Sequence, residues 1–183
     1  MPRRKTRNIE EKIKSIHEVI QFLNVEKSER YQPKTSGTCC NIYVYDYGYL
    51  TDAYIPRVWW RSKAIENLRK GEKVQALFGT NIQKMNAKEI FNWFVDYGKE
   101  FKWNRVFDLD TLQLEADKGK VCIICAIRVN QNEPGHIVAV VPETNAHKAL
   151  RVDGKSLCSP AKSSRKNQQK VFYPKLVVKL RIP

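Results

Sequence analysis

Residues 120–142 read KVCIICAIRVNQNEPGHIVAVVP, and the pattern of hydrophobic residues changes here. KVCIICAIRV (120–129) is a β-branched apolar run without helical spacing. NQNEPG (130–135) has the residue types of a turn, and HIVAVVP (136–142) is a second apolar run. Two such runs joined by a six-residue connection predict an antiparallel hairpin.

Upstream of this stretch the period is helical. IEEKIKSIHEVIQFLN (9–24) places Ile9, Ile13, Ile16, Val19, Ile20 and Leu23 on one stripe, an amphipathic helix with His17 beside the stripe in a structural or exposed role. YQPKTSGT (31–38) is a linker or turn. A helix is expected from about Cys39 to Ala53, broken by YIPRVWW (54–60) at Pro56. Further helices are expected at 62–71, ended by Gly71, at 86–98, opened by an Asn cap and followed by Gly98, and at 109–119, ended by Gly119. Downstream, LCSPAKSSRKNQQK (157–170) is a polar, basic loop, and VFYPKLVVKLRIP (171–183) supplies a last strand. Helices first and strands after is an α+β pattern rather than an alternating one. The length of 183 residues suits a single domain, with a basic helical segment over 1–34 and the main body over 35–183.

The formal net charge of +14 is concentrated at the ends. Residues 1–34 carry nine Lys/Arg against five acids, and residues 151–183 carry nine against one. Basic ends around a near-neutral body suit an anionic partner, whether nucleic acid, a membrane surface or an anionic wall polymer, and they equally suit ordinary solvated charge. No apolar run approaches the length of a membrane span. The start, MPRRKTRNIEEK, is basic with no apolar stretch behind it, so the expectation is a protein made in the cytoplasm without a signal peptide.

Five cysteines make an odd set, and a disulfide framework is not expected. Cys122 and Cys125 have a metal-ligand spacing, but residues three apart on a strand face opposite ways, so they read as buried core thiols. Cys158 stands alone in its basic loop. Cys39 and Cys40 differ in kind, because SGTCCNIYVYDYGYL (36–50) puts them at a helix start. A sulfur there lies against unpaired backbone N–H groups and the positive end of the helix dipole, which attract negative charge. Such a thiolate needs a base, and His136, opening a strand behind Pro134–Gly135, is the best placed of the three histidines.

The motifs CNIYVYD (40–46), LQLEADKGKV (112–121) and PGHIVAVVPE (134–143) resemble those of NlpC-like and CHAP-like cell-wall cysteine amidases and endopeptidases, including amidase-type antibacterial effectors. The resemblance spans roughly residues 36–150. It implies a papain-like fold, N-terminal helices packed on an antiparallel sheet, with Cys40 as nucleophile and His136 as base. It also implies acyl transfer at a peptide amide of peptidoglycan without metal or organic cofactor. Cys39 becomes a bystander. Relatives of this kind orient the histidine with a third polar group, for which His147 and Glu143 are the candidates, with Asn145 between them. The chain departs from the resemblance over 157–170, where the expected small-Gly pair is missing. Without a signal peptide, the wall would be reached by lysis, a dedicated secretion apparatus or uptake, and an immunity partner would be in keeping with an effector.

Other signals bear on substrate. Trp59, Trp60, Trp93 and Trp103 would line a glycan-binding groove, with Trp93 equally explained by core packing; Trp59 and Trp60 cannot both face one way, which leaves one exposed near the Cys40 helix, and Asn41 sits beside the nucleophile in a substrate-contacting place. Tyr31 and Gln32 are possible oxyanion donors. From a different class, a nucleic-acid-binding module would use SSRKNQQK on phosphates, although no helix-turn-helix, zinc-finger or RRM signature is present. A related scaffold acting as a non-catalytic interaction protein is the third alternative.

Overall fold

The computed structural model describes residues 1–4, 8–33, 39–127, 135–145 and 148, with the backbone of the strands at 151–152, 155–156 and 176–181. Five α-helices occur among them: α1 (Ile9–Leu23), α2 (Cys40–Leu50), α3 (Ser62–Arg69), α4 (Ala87–Asp96) and α5 (Leu109–Asp117). A short 3-10 turn, Glu29–Tyr31, lies between α1 and α2. The strands are β1 (Val58–Trp60), β2 (Ile82–Lys84), β3 (Trp103–Val106), β4 (Cys122–Ala126), β5 (His136–Val140), β6 (Arg151–Val152), β7 (Lys155–Ser156) and β8 (Leu176–Arg181).

The α+β expectation holds. The main sheet has the order β3-β8-β4-β5, with every neighbouring pair antiparallel. The expected hairpin is its β4–β5 edge, in register from Cys122 opposite Val140 to Ala126 opposite His136. The expected last strand is present too, but it is inserted between β3 and β4 rather than added at an edge. Two small ribbons, β1–β2 and β6–β7, stand apart from this sheet. Trp59 and Trp60 belong to the strand β1, which the sequence reading, noting only the helix break at Pro56, did not foresee.

Alternation along the central strands separates two cores. Ile123, Cys125, Ile137 and Ala139 face α1, α2 and α4, joined by Ile16, Val19, Tyr47, Phe94 and Trp93. Cys122, Ile124 and Val140 face α5, with Leu112 and Ala116. Helices thus cover both faces, and the two thiols of VCIICA are buried on opposite sides of one strand. From the N-terminal segment, α1 supplies the first core with Ile16, Val19 and Leu23.

Local chemistry explains the helix boundaries. Asn8, Asn86 and Asp108 cap α1, α4 and α5 by accepting from the backbone N–H three residues on. At α4 the Glu89 carboxylate answers with a hydrogen bond from the Asn86 N–H, completing a capping box. Gly48 lies inside α2, against helix propensity, for a packing reason: a Cβ there would sit 2.6 Å from the Ala53 carbonyl oxygen of the chain turning back over the helix. Among the described residues, no helix is long and apolar enough to cross a membrane.

Candidate active site

Cys40 is the first residue of α2, and His136 is the first residue of β5. Hydrogen bonds at both ends of α2 fix how the helix lies on the strand. At its C-terminal end, the Arg4 N–H donates to the Leu50 carbonyl at 3.0 Å, and the Arg4 guanidinium donates to the Gly119 carbonyl at 2.6 Å. Gly119 leads into β4, whose first residue, Cys122, pairs with Val140 at the end of β5. At its N-terminal end, the Asn41 amide donates to the Met85 carbonyl at 2.8 Å. Two residues on, the Ala87 carbonyl accepts from the Cys125 thiol at 3.5 Å, and Cys125 pairs with Ile137 near the start of β5. The helix and strand therefore run the same way, and Cys40 and His136 lie at the same end of the sheet.

Gly135 completes this corner. A Cβ there would lie 2.7 Å from the Ala126 carbonyl oxygen and 3.4 Å from the Lys88 nitrogen, so only glycine fits between β4 and the start of α4. The sequence marked Gly135 only as a turn residue, and the close approach is visible in three dimensions alone.

Side-chain direction limits the chemistry. Ile137 and Ala139 face α2, whereas Val138 faces α5 together with Val140. The ladder is regular, so alternation sends the Cβ of His136 toward the α5 side. A contact between the Cys40 thiol and the imidazole would have to run around the end of β5, at the sheet edge, rather than across the core. His136 is half-buried, and its Nε2 is shielded from solvent.

Other expected site residues go to different places. Glu143 lies beyond the opposite end of β5, where its N–H donates to Asp117 Oδ1 at 2.7 Å. A five-residue strand at ~3.3 Å per residue separates its ends by roughly 13 Å, so Glu143 does not orient His136. His147 and Cys158 lie outside the described residues. Asn41 spends its amide on tying α2 to Met85. Trp59 is half-buried among Trp93, Tyr97 and Phe101, with ring centroids 5.6, 5.4 and 6.0 Å away, a packing role. Trp60 points from the other side of its ribbon. His17 bonds to the Pro142 carbonyl at 3.1 Å, joining α1 to the end of β5.

The two possible oxyanion donors are both engaged. The Gln32 amide donates to the Glu26 carbonyl at 2.9 Å, and the Tyr31 hydroxyl donates to Asp46 Oδ2 at 2.8 Å. Tyr31 is no linker residue: it is buried, and its ring meets Tyr43 edge to face at 5.4 Å. Burial, followed by the bond to Asp46, raises the Tyr31 phenol well above its ordinary range. The Arg30 fork grips the same carboxylate at 2.6 and 3.0 Å, and that hydrogen bonding raises the guanidinium further. Sequence reading missed this cluster because Asp46 has no basic residue within a helical turn. Its partners lie 15 and 16 residues back, in the 3-10 turn before α2.

The start of α2 differs from the capped helices. The Ile42 and Tyr43 N–H groups donate to the Cys39 carbonyl, and the Cys39 side chain makes no cap bond. Its sulfur instead donates to the Gln32 carbonyl at 3.5 Å. A helix start without a side-chain cap can offer backbone N–H groups to a developing oxyanion.

Comparison with family models, with curated proteins and with solved structures gives no match. The functional reading therefore rests on the residues of this chain.

Proposed function

We propose that the chain is a papain-like cysteine hydrolase of the NlpC-like or CHAP-like kind, cutting a peptide amide of peptidoglycan. The observation that carries this reading is the placing of Cys40 and His136, the first residues of α2 and β5, at one end of the sheet. In the proposed reaction, the Cys40 thiolate attacks the amide carbonyl, and first-turn N–H groups of α2 hold the oxyanion. The imidazolium of His136 protonates the departing amine, and water attacks the thioester to release the acid and regenerate the thiol. His147 remains the proposed orienting group. The basic ends would hold the protein to an anionic wall polymer.

The test is turnover of purified peptidoglycan by wild type, Cys40→Ala, Cys39→Ala and His136→Ala, with fragments identified by mass. Cys40→Ala and His136→Ala should each lose about 10³-fold or more in rate, while Cys39→Ala stays active. A folded wild type that cuts no better than Cys40→Ala removes the reading. Salt-dependent nucleic-acid binding indifferent to Cys40→Ala would then favour the binding-module alternative.

A further inference from the structure

Residues 57–84, running from β1 through α3 to β2, form an exposed arm with Ala64 as its one buried residue. The two faces of its β1–β2 ribbon differ. Trp59 turns inward to Trp93, Tyr97 and Phe101, whereas Val58 and Trp60 share the other face with Lys84 and Ile82, their partners across the ribbon. Phe78 bridges to Ile82 and joins this apolar strip. The turn carrying Leu77 and Phe78 is tightly bonded. The Leu77 carbonyl accepts from the Asn81 and Ile82 N–H groups at 2.9 and 3.1 Å, and the Gly79 N–H donates to the Ile82 carbonyl at 2.8 Å. Gly79 takes a φ of +85°, a conformation that suits glycine. The Asn81 amide donates to the Gln75 carbonyl, and the Asn81 carbonyl accepts from the Arg61 N–H at the start of α3. This frame holds Phe78 63% exposed and Leu77 49% exposed, so neither side chain serves the core. Val58 and Leu68 are exposed in the same arm. Its charge is one-sided, with seven Lys/Arg against two acids and six of those cations exposed. One of the acids, Glu66, faces Lys63 at 3.7 Å.

We infer that this arm docks the protein on an anionic lipid surface, with Leu77 and Phe78 entering the acyl boundary and Arg61, Arg69, Lys70 and Lys84 meeting the headgroups. Charge and chemistry both match. Apolar side chains on an exposed turn reach past headgroups, while Lys and Arg lay their stems on apolar surface and keep their heads in water. Clustered cations are drawn to anionic lipid. Of the four exposed apolar side chains, three are aliphatic, which suits hydrocarbon and gives nucleobases no ring to stack on. A mostly exposed arm presents a surface rather than a cleft, which favours lipid over an enclosed acidic peptide. The inference is independent of the proposed hydrolase activity, because vesicle binding needs neither Cys40 nor His136.

The test is co-sedimentation of the full-length protein with vesicles of phosphatidylcholine alone and of an equal mixture of phosphatidylcholine and phosphatidylglycerol. Wild type should bind the mixed vesicles at least about tenfold tighter than the neutral ones, and added salt should weaken that binding. Combining Leu77→Ser with Phe78→Ser should lose about tenfold or more, through apolar area no longer buried in lipid. Arg69→Gln and Lys70→Gln should each lose about fivefold. These side chains are exposed, so the unfolding midpoints should stay at the wild-type value, and the two Gln variants decide if the double Ser variant fails to fold. Phe78→Leu should keep vesicle binding within about twofold, since it trades one apolar side chain for another. Equal binding to both vesicles, binding to neither, or binding untouched in the folded variants overturns the inference. So does a protein that ignores vesicles but holds a single-stranded oligonucleotide and releases it in Phe78→Leu, the result expected of a base-stacking site.

Discussion

The helices α2 and α4 begin at one corner of the molecule, bridged by the Asn41–Met85 hydrogen bond, yet the two starts are built differently. At α4, Asn86 and Glu89 exchange side-chain and backbone bonds in a full capping box. At α2, the residue in the cap position is a cysteine whose sulfur is turned back to Gln32. At α4 the third N–H of the helix, that of Glu89, donates to the Asn86 side chain, whereas at α2 the corresponding Ile42 N–H donates to the Cys39 backbone carbonyl. The corner thus pairs a helix start closed by side chains with one whose described cap bonds come from backbone alone.

Removing the core support of α4 should break this contrast most severely. Trp93 is buried at 2% exposure and meets Trp59, Phe94 and Phe101. Trp93→Ala is expected to cost about 3–5 kcal/mol, read as a lowered denaturant midpoint. Gly135→Ala should cost about 1–3 kcal/mol, because its new methyl group meets backbone at 2.7 Å, and turnover at the corner should fall with it. A loss confined to stability with turnover intact would show that the corner is only structural.

The caps give smaller effects. Asn86→Ala should lose about 1 kcal/mol in thermal unfolding, through the Glu89 N–H it leaves unanswered. Cys39→Asp makes the opposite change by giving α2 the kind of cap that α4 has. It should gain about 0.5–1 kcal/mol and slow iodoacetamide labelling of Cys40, since a carboxylate would then occupy the N–H groups at that start. Stabilisation with unchanged labelling would disconnect the open helix start from the reactivity of Cys40.

Acid should act most weakly, and on the α5 side. Hydrogen bonds from Thr111 hold Asp108 below its ordinary value, and Lys118 followed by Lys120 holds Glu115 below its own. Folded values below the unfolded ones mean stabilisation that is present above the ordinary values of 3.8 and 4.5 and is lost as pH falls through the lowered folded values. Asp108 is exposed and screened, whereas the Glu115 carboxylate is partly buried between Lys118 and Lys120, and a modest decline in unfolding midpoint over that window is expected. Asp108→Asn should flatten its share of the decline, and a slope unchanged by that substitution would assign the acid sensitivity elsewhere.

Much of this protein is legible in short windows of sequence. Helical spacing located α1, the Asn86 and Gly98 signals bracketed α4, and the apolar runs around NQNEPG marked the β4–β5 hairpin. The opposite-facing thiols of VCIICA followed from strand alternation alone. These features rest on contacts between residues close in the chain, where backbone geometry and periodicity act directly. The same rule, applied to the observed register, revealed what motif matching did not: in HIVAVVP, Ile137 and Ala139 face α2, so His136 departs from the other side.

The tertiary structure decided whatever depends on distant partners. It inserted the last strand between β3 and β4, carried Glu143 to the end of β5 opposite His136, and took Trp59 into an aromatic cluster. It also brought Arg30 and Tyr31 to Asp46. Burial and pairing at such separations are set by how whole elements stack on a sheet. The sequence by itself therefore determined the helices, the β4–β5 hairpin, the last strand and the two thiols at a helix start, and only tertiary packing decided the remaining strands and what surrounds each element.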